Sequence, residues 1–157
     1  MPYQYLIIFL VSLLPLVELR GSIVMAVDMG LEYWTALAVS VIGNMLPVPF
    51  IYFFARKVLH WGSDKKYIGK FFRFCLEKGE KAGQSITAKA GKGGLFVAMV
   101  LFVGIPIPGT GAWTGTLGAS FLDMGFKNTV LSVSLGVILA GIIMGVTSHT
   151  AFHIFGL

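Results

Sequence analysis

The first apolar run of the sequence ends at a proline and is followed at once by two charged residues. The run extends from Tyr5 to Leu14, and Pro15, Glu18 and Arg20 come directly after it. Charge and broken backbone at membrane depth are costly unless protein groups shield them or they line an aqueous cavity. Glu18 and Arg20 are therefore the first candidates for a functional site.

The composition is that of an integral membrane protein. The chain has 157 residues, of which 56% are hydrophobic and 12% are charged, whereas an average soluble domain has roughly 25% charged residues. Its length has room for one compact bundle and for no independent soluble domain. We expect an all-α membrane protein whose function resides in the bundle itself.

The first half predicts a broken hairpin followed by a span. Residues 3–17 are too few for a spanning helix of about 20 residues, and residues 21–29 are apolar again, so a re-entrant hairpin is expected. Residues 33–57 form the first predicted span, which Pro47 and Pro49 interrupt. We expect the nearby Ser40 and Asn44 side chains to compensate for the lost helical hydrogen bonds.

The second half predicts the same order of elements. Residues 95–122 are apolar but carry the run Pro106-Ile107-Pro108-Gly109-Thr110-Gly111 near their middle. A second re-entrant hairpin is therefore expected there. Residues 128–148 form the second predicted span, in which Gly141 and Gly145 provide a small-residue packing face.

Ten of the twelve Lys and Arg residues lie in one segment between the two halves, at 56, 57, 65, 66, 70, 73, 78, 81, 89 and 92. Apolar positions recur there at helical spacing, which predicts a cytosolic amphipathic helix at an anionic membrane surface. Glycines at 79 and 83 weaken this helix, and Gly91, Gly93 and Gly94 predict a joint after it. A nucleic-acid partner is not expected beside two hydrophobic segments.

A short repeated motif relates the two halves. Asp28-Met29-Gly30 and Asp123-Met124-Gly125 each follow a predicted hairpin and precede a predicted span. One crossing separates the two units, so their topology is expected to be inverted, as in many secondary transporters. We expect one membrane domain, with repeat units at 1–58 and 95–157 and the basic segment at 59–94.

Glu18 and Arg20 allow two interpretations. Burial penalises the charged form of a carboxylate, whereas a neighbouring guanidinium favours it. Glu18 is either a carboxylate that couples transport to protons or cations, with Arg20 as its counter-ion, or one half of an ion pair that fixes the hairpin tip.

The second break provides further candidate residues. Its amides, carbonyls and hydroxyls either line a polar cavity for substrate or ion, with Asn44 as a third wall, or form a tight tip that binds nothing. The candidates are Pro106, Pro108, Gly109, Thr110, Gly111, Trp113 and Thr114.

Several functional classes lack support in the sequence. It has no phosphate-binding loop, dinucleotide fingerprint or nucleophile elbow, so we expect neither an enzyme nor a cofactor. His149 and His153 share a helical face but have no carboxylate or cysteine nearby, and no metal site is expected. The expected partners are membrane lipids, protons or cations, and a small amphipathic or lipid substrate, and the small number of spans is compatible with a homodimer.

Three motifs resemble those of the small multidrug export protein family. They are Leu14-Pro15-Leu16-Val17-Glu18-Leu19-Arg20-Gly21-Ser22-Ile23, Gly43-Asn44-Met45-Leu46-Pro47-Val48-Pro49-Phe50 and Pro106-Ile107-Pro108-Gly109-Thr110-Gly111-Ala112-Trp113-Thr114-Gly115. The resemblance covers nearly the whole chain. It implies an exporter in the cytoplasmic membrane, most typically of a prokaryote, that crosses the membrane several times.

The chain is more remotely similar to the DedA superfamily, which has two opposed re-entrant hairpins and is linked to lipid scrambling and lipid-carrier flipping. Glu18 matches the acidic residue of the first hairpin there, but the arginines typical of the second hairpin are absent. Three functions are thus expected: a proton- or cation-coupled transporter, an uncoupled lipid scramblase or lipid-carrier flippase, or a structural membrane subunit without substrate.

Overall fold

The protein is all-helical throughout the part of the chain that its computed structural model describes, residues 2–15, 17–65, 69–107 and 109–155. This confirms the all-α prediction. Seven helices lie in these ranges: α1 Pro2–Leu13, α2 Glu18–Asp28, α3 Tyr33–Met45, α4 Val48–Ser63, α5 Gly69–Gly104, α6 Ala112–Phe121 and α7 Phe126–Phe155.

Within the described residues, two stretches are long and apolar enough to cross a membrane. They are Tyr33–Ser63, which comprises α3 and α4, and Phe126–Ala151 of α7. Both include the predicted spans at 33–57 and 128–148 and extend beyond them. Helices α1, α2 and α6 are short, with 12, 11 and 10 residues, against the roughly 20 that a span requires.

The first span is broken at Pro47, as its sequence predicts. Helix α3 ends at Met45, and Pro47 precedes α4 as its N-cap, because proline has no amide proton to continue the ladder. The predicted compensation is wrong for Ser40, whose buried hydroxyl has no hydrogen-bond partner among the described residues, and Asn44 Oδ1 is likewise buried without one there. These two polar atoms therefore lie unpaired beside the break.

Helix α5 bends at a single glycine. Gly91 has φ of 71° and ψ of 177° inside an otherwise helical stretch, a conformation that glycine adopts without steric cost. The bend separates the basic part of α5 from its apolar part, Gly91–Gly104. The joint predicted at Gly91 is thus confirmed, whereas the backbone at Gly79 and Gly83 remains helical.

The two candidate spans pack against each other in opposite directions. The Tyr33 hydroxyl at the start of α3 donates to the Gly141 carbonyl at 3.1 Å. Farther along, the Phe53 ring of α4 stacks on the Phe126 ring at the start of α7, with centroids 4.9 Å apart. The predicted packing face is confirmed, because a Cβ at Gly145 would lie 2.3 Å from the Tyr33 ring.

The short helices pack on the spans in two matching sets. Helix α1 packs on α3, and α2 packs on α3 and α7; the apolar part of α5 packs on α7, and α6 packs on α4 and α7. One apolar cluster joins the two sets and includes Leu19, Ile23, Val103, Val133 and Val137. The ends of the short helices therefore come together in the interior of the bundle.

The turns after α2 and α6 have the same geometry but not the same register. Each closes with a left-handed residue, Gly30 with φ of 64° and Asp123 with φ of 54°. The next amide bonds back five residues in both cases, from Leu31 to Ala26 and from Met124 to Ala119. Structural equivalence therefore pairs Gly30 with Asp123, which puts the two Asp-Met-Gly motifs two residues out of register.

Candidate functional site

The Glu18 carboxylate receives two backbone hydrogen bonds from the first turn of α6. Oε2 accepts from the Ala112 amide at 3.1 Å, and Oε1 accepts from the Trp113 amide at 3.0 Å. The side chain is buried, with 5% of its surface exposed. The first amides of a helix have no partners within it and lie at the positive end of the helix dipole, so Glu18 caps α6 from a distant part of the chain.

Glycine at position 111 makes room for this carboxylate. A Cβ built on Gly111 would lie 1.4 Å from Glu18 Oε2 and 2.2 Å from the carboxyl carbon. Gly111 is the N-cap residue of α6 and provides no side-chain cap of its own. The Glu18 carboxylate thus occupies the space that a side chain at position 111 would fill.

The Arg20 guanidinium binds the other side of the same break. Its NH1 donates to the Ile107 carbonyl, and its NH2 lies 3.3 Å from the Ile105 carbonyl and 3.4 Å from the Val103 carbonyl. These carbonyls end α5 or follow it, where positive charge is favoured, and those of Ile105 and Ile107 also accept backbone hydrogen bonds from the Ile107 and Thr110 amides. Arg20 therefore caps the end of α5 while Glu18 caps the start of α6.

Thr110 joins this network through its side chain. Its hydroxyl accepts from Arg20 NH2 at 2.9 Å and lies 2.9 Å from both the Ile105 and Ile107 carbonyls. The Thr114 hydroxyl donates to the Gly111 carbonyl at 3.2 Å. The break is thus held together mainly by hydrogen bonds to its own backbone and to Arg20.

The remaining predicted residues of the break have different surroundings. Pro106 is half-buried, and Gly109 is exposed with φ of 87°, a conformation that favours glycine. Trp113 contributes its amide to Glu18, and its indole Nε1 is buried with no hydrogen-bond partner in the part of the chain that the structure describes. Pro108 lies outside the described residues.

A small cavity of about 10 Å³ lies where the two breaks meet. Glu18, Arg20, Asn44 and Gly111 line it together with apolar side chains, so the structure brings Asn44 beside the other candidates. A space of this size accommodates about one water molecule at most. The arrangement is therefore closed to any organic substrate.

The backbone at Glu18 is strained. Its φ is 52°, a left-handed conformation that costs a residue other than glycine roughly 1–3 kcal/mol. The Glu18 amide nevertheless bonds to the Leu14 carbonyl at 3.0 Å. The strained residue is also the one whose carboxylate caps α6, so the contacts of that carboxylate must offset the backbone cost.

Sequence reasoning identified the two charges but not their partners. It paired Glu18 with Arg20, whereas the hydrogen bonds of both side chains, among the described residues, go to the second break. The partners it missed are backbone groups of Ala112, Trp113, Val103 and Ile105. The sequence did contain a signal for this pairing. The second break supplies backbone amides and carbonyls, and the first break supplies one charge of each sign.

Comparison with known proteins gives one family. The family model described as "Putative small multi-drug export protein" matches residues 18–143. No curated protein and no solved structure matches the chain. The match begins at Glu18 and includes Arg20, Asn44 and the whole second break.

Proposed function

The chain belongs to the small multidrug export protein family, and from this membership we propose that it is a membrane transporter, coupled to protons or cations, for a small amphipathic or lipid-like substrate. The path runs through a midplane site between two re-entrant hairpins. Hairpin 1 is α1 with α2, and hairpin 2 is Gly91–Gly104 of α5 with α6. The observation that carries this proposal is the bonding of Glu18, in hairpin 1, to the first turn of α6, in hairpin 2.

The lengths of the hairpin arms support re-entry. Helices α1, α2 and α6 have 12, 11 and 10 residues, which at about 1.5 Å per residue gives roughly 15–18 Å each. The hydrocarbon core is about 30 Å thick. Each of these arms is therefore long enough to reach the middle and too short to cross, and the two arms of a hairpin together lead to the middle and back.

Contacts with the spans support an inverted repeat. A Cβ at Gly43 of α3 would lie 2.8 Å from the Phe9 carbonyl of α1, and one at Gly136 of α7 would lie 2.9 Å from the Val100 carbonyl of α5. Gly43 and Gly136 each lie ten residues after the first residue of their helix. Phe9 and Val100 each lie four residues before the last residue of theirs. The first arm of each hairpin thus crosses its span at the same place, on spans that run in opposite directions.

The distribution of charge supports an orientation. Lys57 and Lys127 lie toward one end of the two antiparallel spans, which we name the basic end, and both are exposed. Asp28 and Glu32 lie at the other end, which we name the acidic end. The positive-inside rule puts the basic end in the cytosol. Hairpin 1 then enters from outside and hairpin 2 from the cytosol.

The basic segment is proposed to rest on the cytosolic membrane surface. Trp61 is 59% exposed, and the Lys65 ammonium lies 4.5 Å from the centre of its ring. The lysines at 70, 81, 89 and 92 and Arg73 are also exposed. Aromatic rings beside exposed cations are typical of contact with anionic lipid headgroups.

The two caps are proposed to act as a gate. In the closed arrangement, Glu18 holds α6 and Arg20 holds α5, and the central cavity is too small for an organic molecule. Protonation of Glu18 would remove the negative charge at the start of α6 and convert one carboxylate oxygen from an acceptor into a donor. The hairpin tips would then separate and open the midplane site, which couples proton binding to opening.

Leaflet exchange tests this proposal. Purified protein is reconstituted into liposomes with a fluorescent lipid, and exchange is measured with and without an imposed pH gradient for the native chain and Glu18→Gln. Coupled transport predicts exchange that requires the gradient in the native chain and loses this requirement in the variant. Gly118→Ala serves as the control, because a Cβ there meets no atom within 4 Å.

The other outcomes contradict specific parts of the proposal. Exchange that is equally fast without a gradient in both proteins would mean an uncoupled scramblase. A Glu18→Gln variant that behaves as the native chain in every condition would leave Glu18 a purely structural role. Absence of lipid exchange, together with absence of gradient-driven efflux of an amphipathic dye, would contradict transport.

A further inference from the structure

A second cavity, larger than the central one, lies on the side of the acidic end. It has a volume of about 480 Å³ and lies between the turn joining α2 to α3 and the second half of α7. Its walls include Leu31, Tyr33, Trp34, Ile142 and Val146. This volume is within the range of about 300–1,000 Å³ typical of small-molecule sites, unlike the central cavity.

The aromatic wall of the cavity is held in place. The Tyr33 and Trp34 rings meet edge to face with centroids 5.1 Å apart. The Tyr33 hydroxyl donates to the Gly141 carbonyl, and the ring lies where a side chain at position 145 would be. Trp34 is 67% exposed. The cavity thus has one fixed ring and one accessible ring, an arrangement that suits contact with an apolar or cationic group.

Two carboxylates lie beside the cavity, and His149 is part of its wall. Asp28 ends α2 and Glu32 precedes α3, so both carboxylates flank the turn that carries Leu31, and both are exposed. No Lys or Arg occurs between residues 21 and 55 or after residue 127.

We propose that this cavity binds an organic cation with a large apolar body. The apolar walls take the body, the rings of Tyr33 and Trp34 contact the charged centre, and Asp28 and Glu32 attract it from solution. The inference adds a ligand class to the proposed transport function. It is tested by binding in detergent, where no transport occurs, so that a failure of the binding proposal can be distinguished from a failure of the transport proposal.

The test compares two probes of the same shape and opposite charge. Binding of tetraphenylphosphonium and of tetraphenylborate to the purified full chain is measured by equilibrium dialysis at pH 8, where histidine side chains are ordinarily neutral. Val146→Trp fills the cavity from an exposed position, and Val97→Trp is the matched control, since these valines are 64% and 54% exposed. Both variants are expected to fold.

The expected result is specific binding of the cation alone. Val146→Trp should weaken tetraphenylphosphonium binding by about tenfold or more, a change equivalent to losing the main contacts of the site, whereas Val97→Trp should leave it unchanged. The double variant Asp28→Asn, Glu32→Gln should weaken it by about two- to fivefold, and salt should reduce this difference by screening.

Two results would overturn the inference. Equal tetraphenylphosphonium binding by the native chain, Val146→Trp and Val97→Trp would make the cavity a groove for lipid chains or detergent. Tetraphenylborate binding that is as strong as cation binding and equally sensitive to Val146→Trp would remove the role of the two carboxylates.

Discussion

The Glu18 carboxylate and the Ala112 amide lie 3.1 Å apart although the two residues belong to opposite halves of the chain. The contact joins a buried charge, which is costly unless it is paired, to an amide that has no partner within its own helix. Arg20 does the same for the carbonyls that end α5. The charges on α2 therefore bind the helix ends of α5 and α6. Neither the pair α1 and α2 nor the pair α5 and α6 is expected to be stable alone.

Gly111→Ala tests the fit between the carboxylate and α6. The added methyl group would occupy the position of Glu18 Oε2, so the carboxylate must move and both amides lose a charged acceptor. A hydrogen bond to a charged group is worth about 1.5–3 kcal/mol, and we expect a loss of that order in the free energy of unfolding. Thermal unfolding in detergent, followed by circular dichroism, measures it. Gly118→Ala should unfold as the native chain does; equal effects of the two changes would disprove the fit.

Arg20→Lys tests the need for a planar, branched cation. A guanidinium donates in several directions at once, whereas an ammonium is a compact point charge. Lysine at 20 therefore retains the charge at the end of α5 but not the simultaneous bonds to the carbonyls and Thr110. We expect a loss of about 1–2 kcal/mol in unfolding free energy.

Arg20→Met supplies the comparison for the lysine variant. It removes both the charge and the hydrogen bonds that the guanidinium donates to the carbonyls of Val103, Ile105 and Ile107, so it should unfold at a lower temperature than Arg20→Lys. If methionine were tolerated as well as lysine, the carbonyls at the end of α5 would not depend on Arg20.

Gly43→Ala and Gly136→Ala test the repeat. Each methyl group would press on a backbone carbonyl, of Phe9 or of Val100, at 2.8 or 2.9 Å. Backbone cannot rotate away as a side chain can, so overpacking should cost about 1–3 kcal/mol in each variant. Similar losses are expected from the two changes, measured by thermal unfolding, and none from Gly93→Ala, where a Cβ meets nothing within 4 Å. Tolerance at either position would contradict the close crossing.

Glu32 should make the start of α3 sensitive to acid. Hydrogen bonds from Thr35, with its side chain the largest cause, and from the Trp34 amide lower the pKa of this carboxyl below its ordinary value. A lowered pKa contributes stability that is present above the unfolded-state pKa and is lost as the pH falls through the folded-state value. Thermal unfolding of the native chain should therefore shift down in acid, and Glu32→Gln should reduce that shift. An identical acid profile in both proteins would exclude this cap.

The sequence predicted the elements better than the contacts between them. The breaks at Pro15, Pro47 and Gly91 follow from local chemistry, because proline lacks an amide proton and glycine alone adopts φ near 70° freely. The small-residue face at Gly141 and Gly145 likewise follows from spacing. Such features depend only on residues close in the chain.

The partners of Glu18 and Arg20 depend on tertiary structure and could not be read locally. Side chains three to four residues apart invite pairing with each other, but Glu18 and Arg20 are two apart, and the partners that most need them are backbone groups of the second break. The Asp-Met-Gly motif failed as a guide to register for the same reason. The left-handed position is taken by Gly30 in one turn and by Asp123 in the other, so identity of residue type did not mark equivalent positions.

The most direct test of the account is the membrane side from which single cysteines can be labelled. Cys75, the single native cysteine, is replaced by serine, and Tyr3, Val17, Asp28, Lys92 and Lys127 are changed to cysteine one at a time. All five positions are exposed in the protein. An impermeant maleimide is applied to sealed vesicles of each orientation.

Two re-entrant hairpins with opposed entry predict labelling of Tyr3→Cys and Asp28→Cys from one face and of Lys92→Cys and Lys127→Cys from the other. They also predict that Val17→Cys, at the tip of hairpin 1, is never labelled from the Lys127 face. Labelling of all four outer positions from one face, or of Val17→Cys from the Lys127 face, would contradict the arrangement.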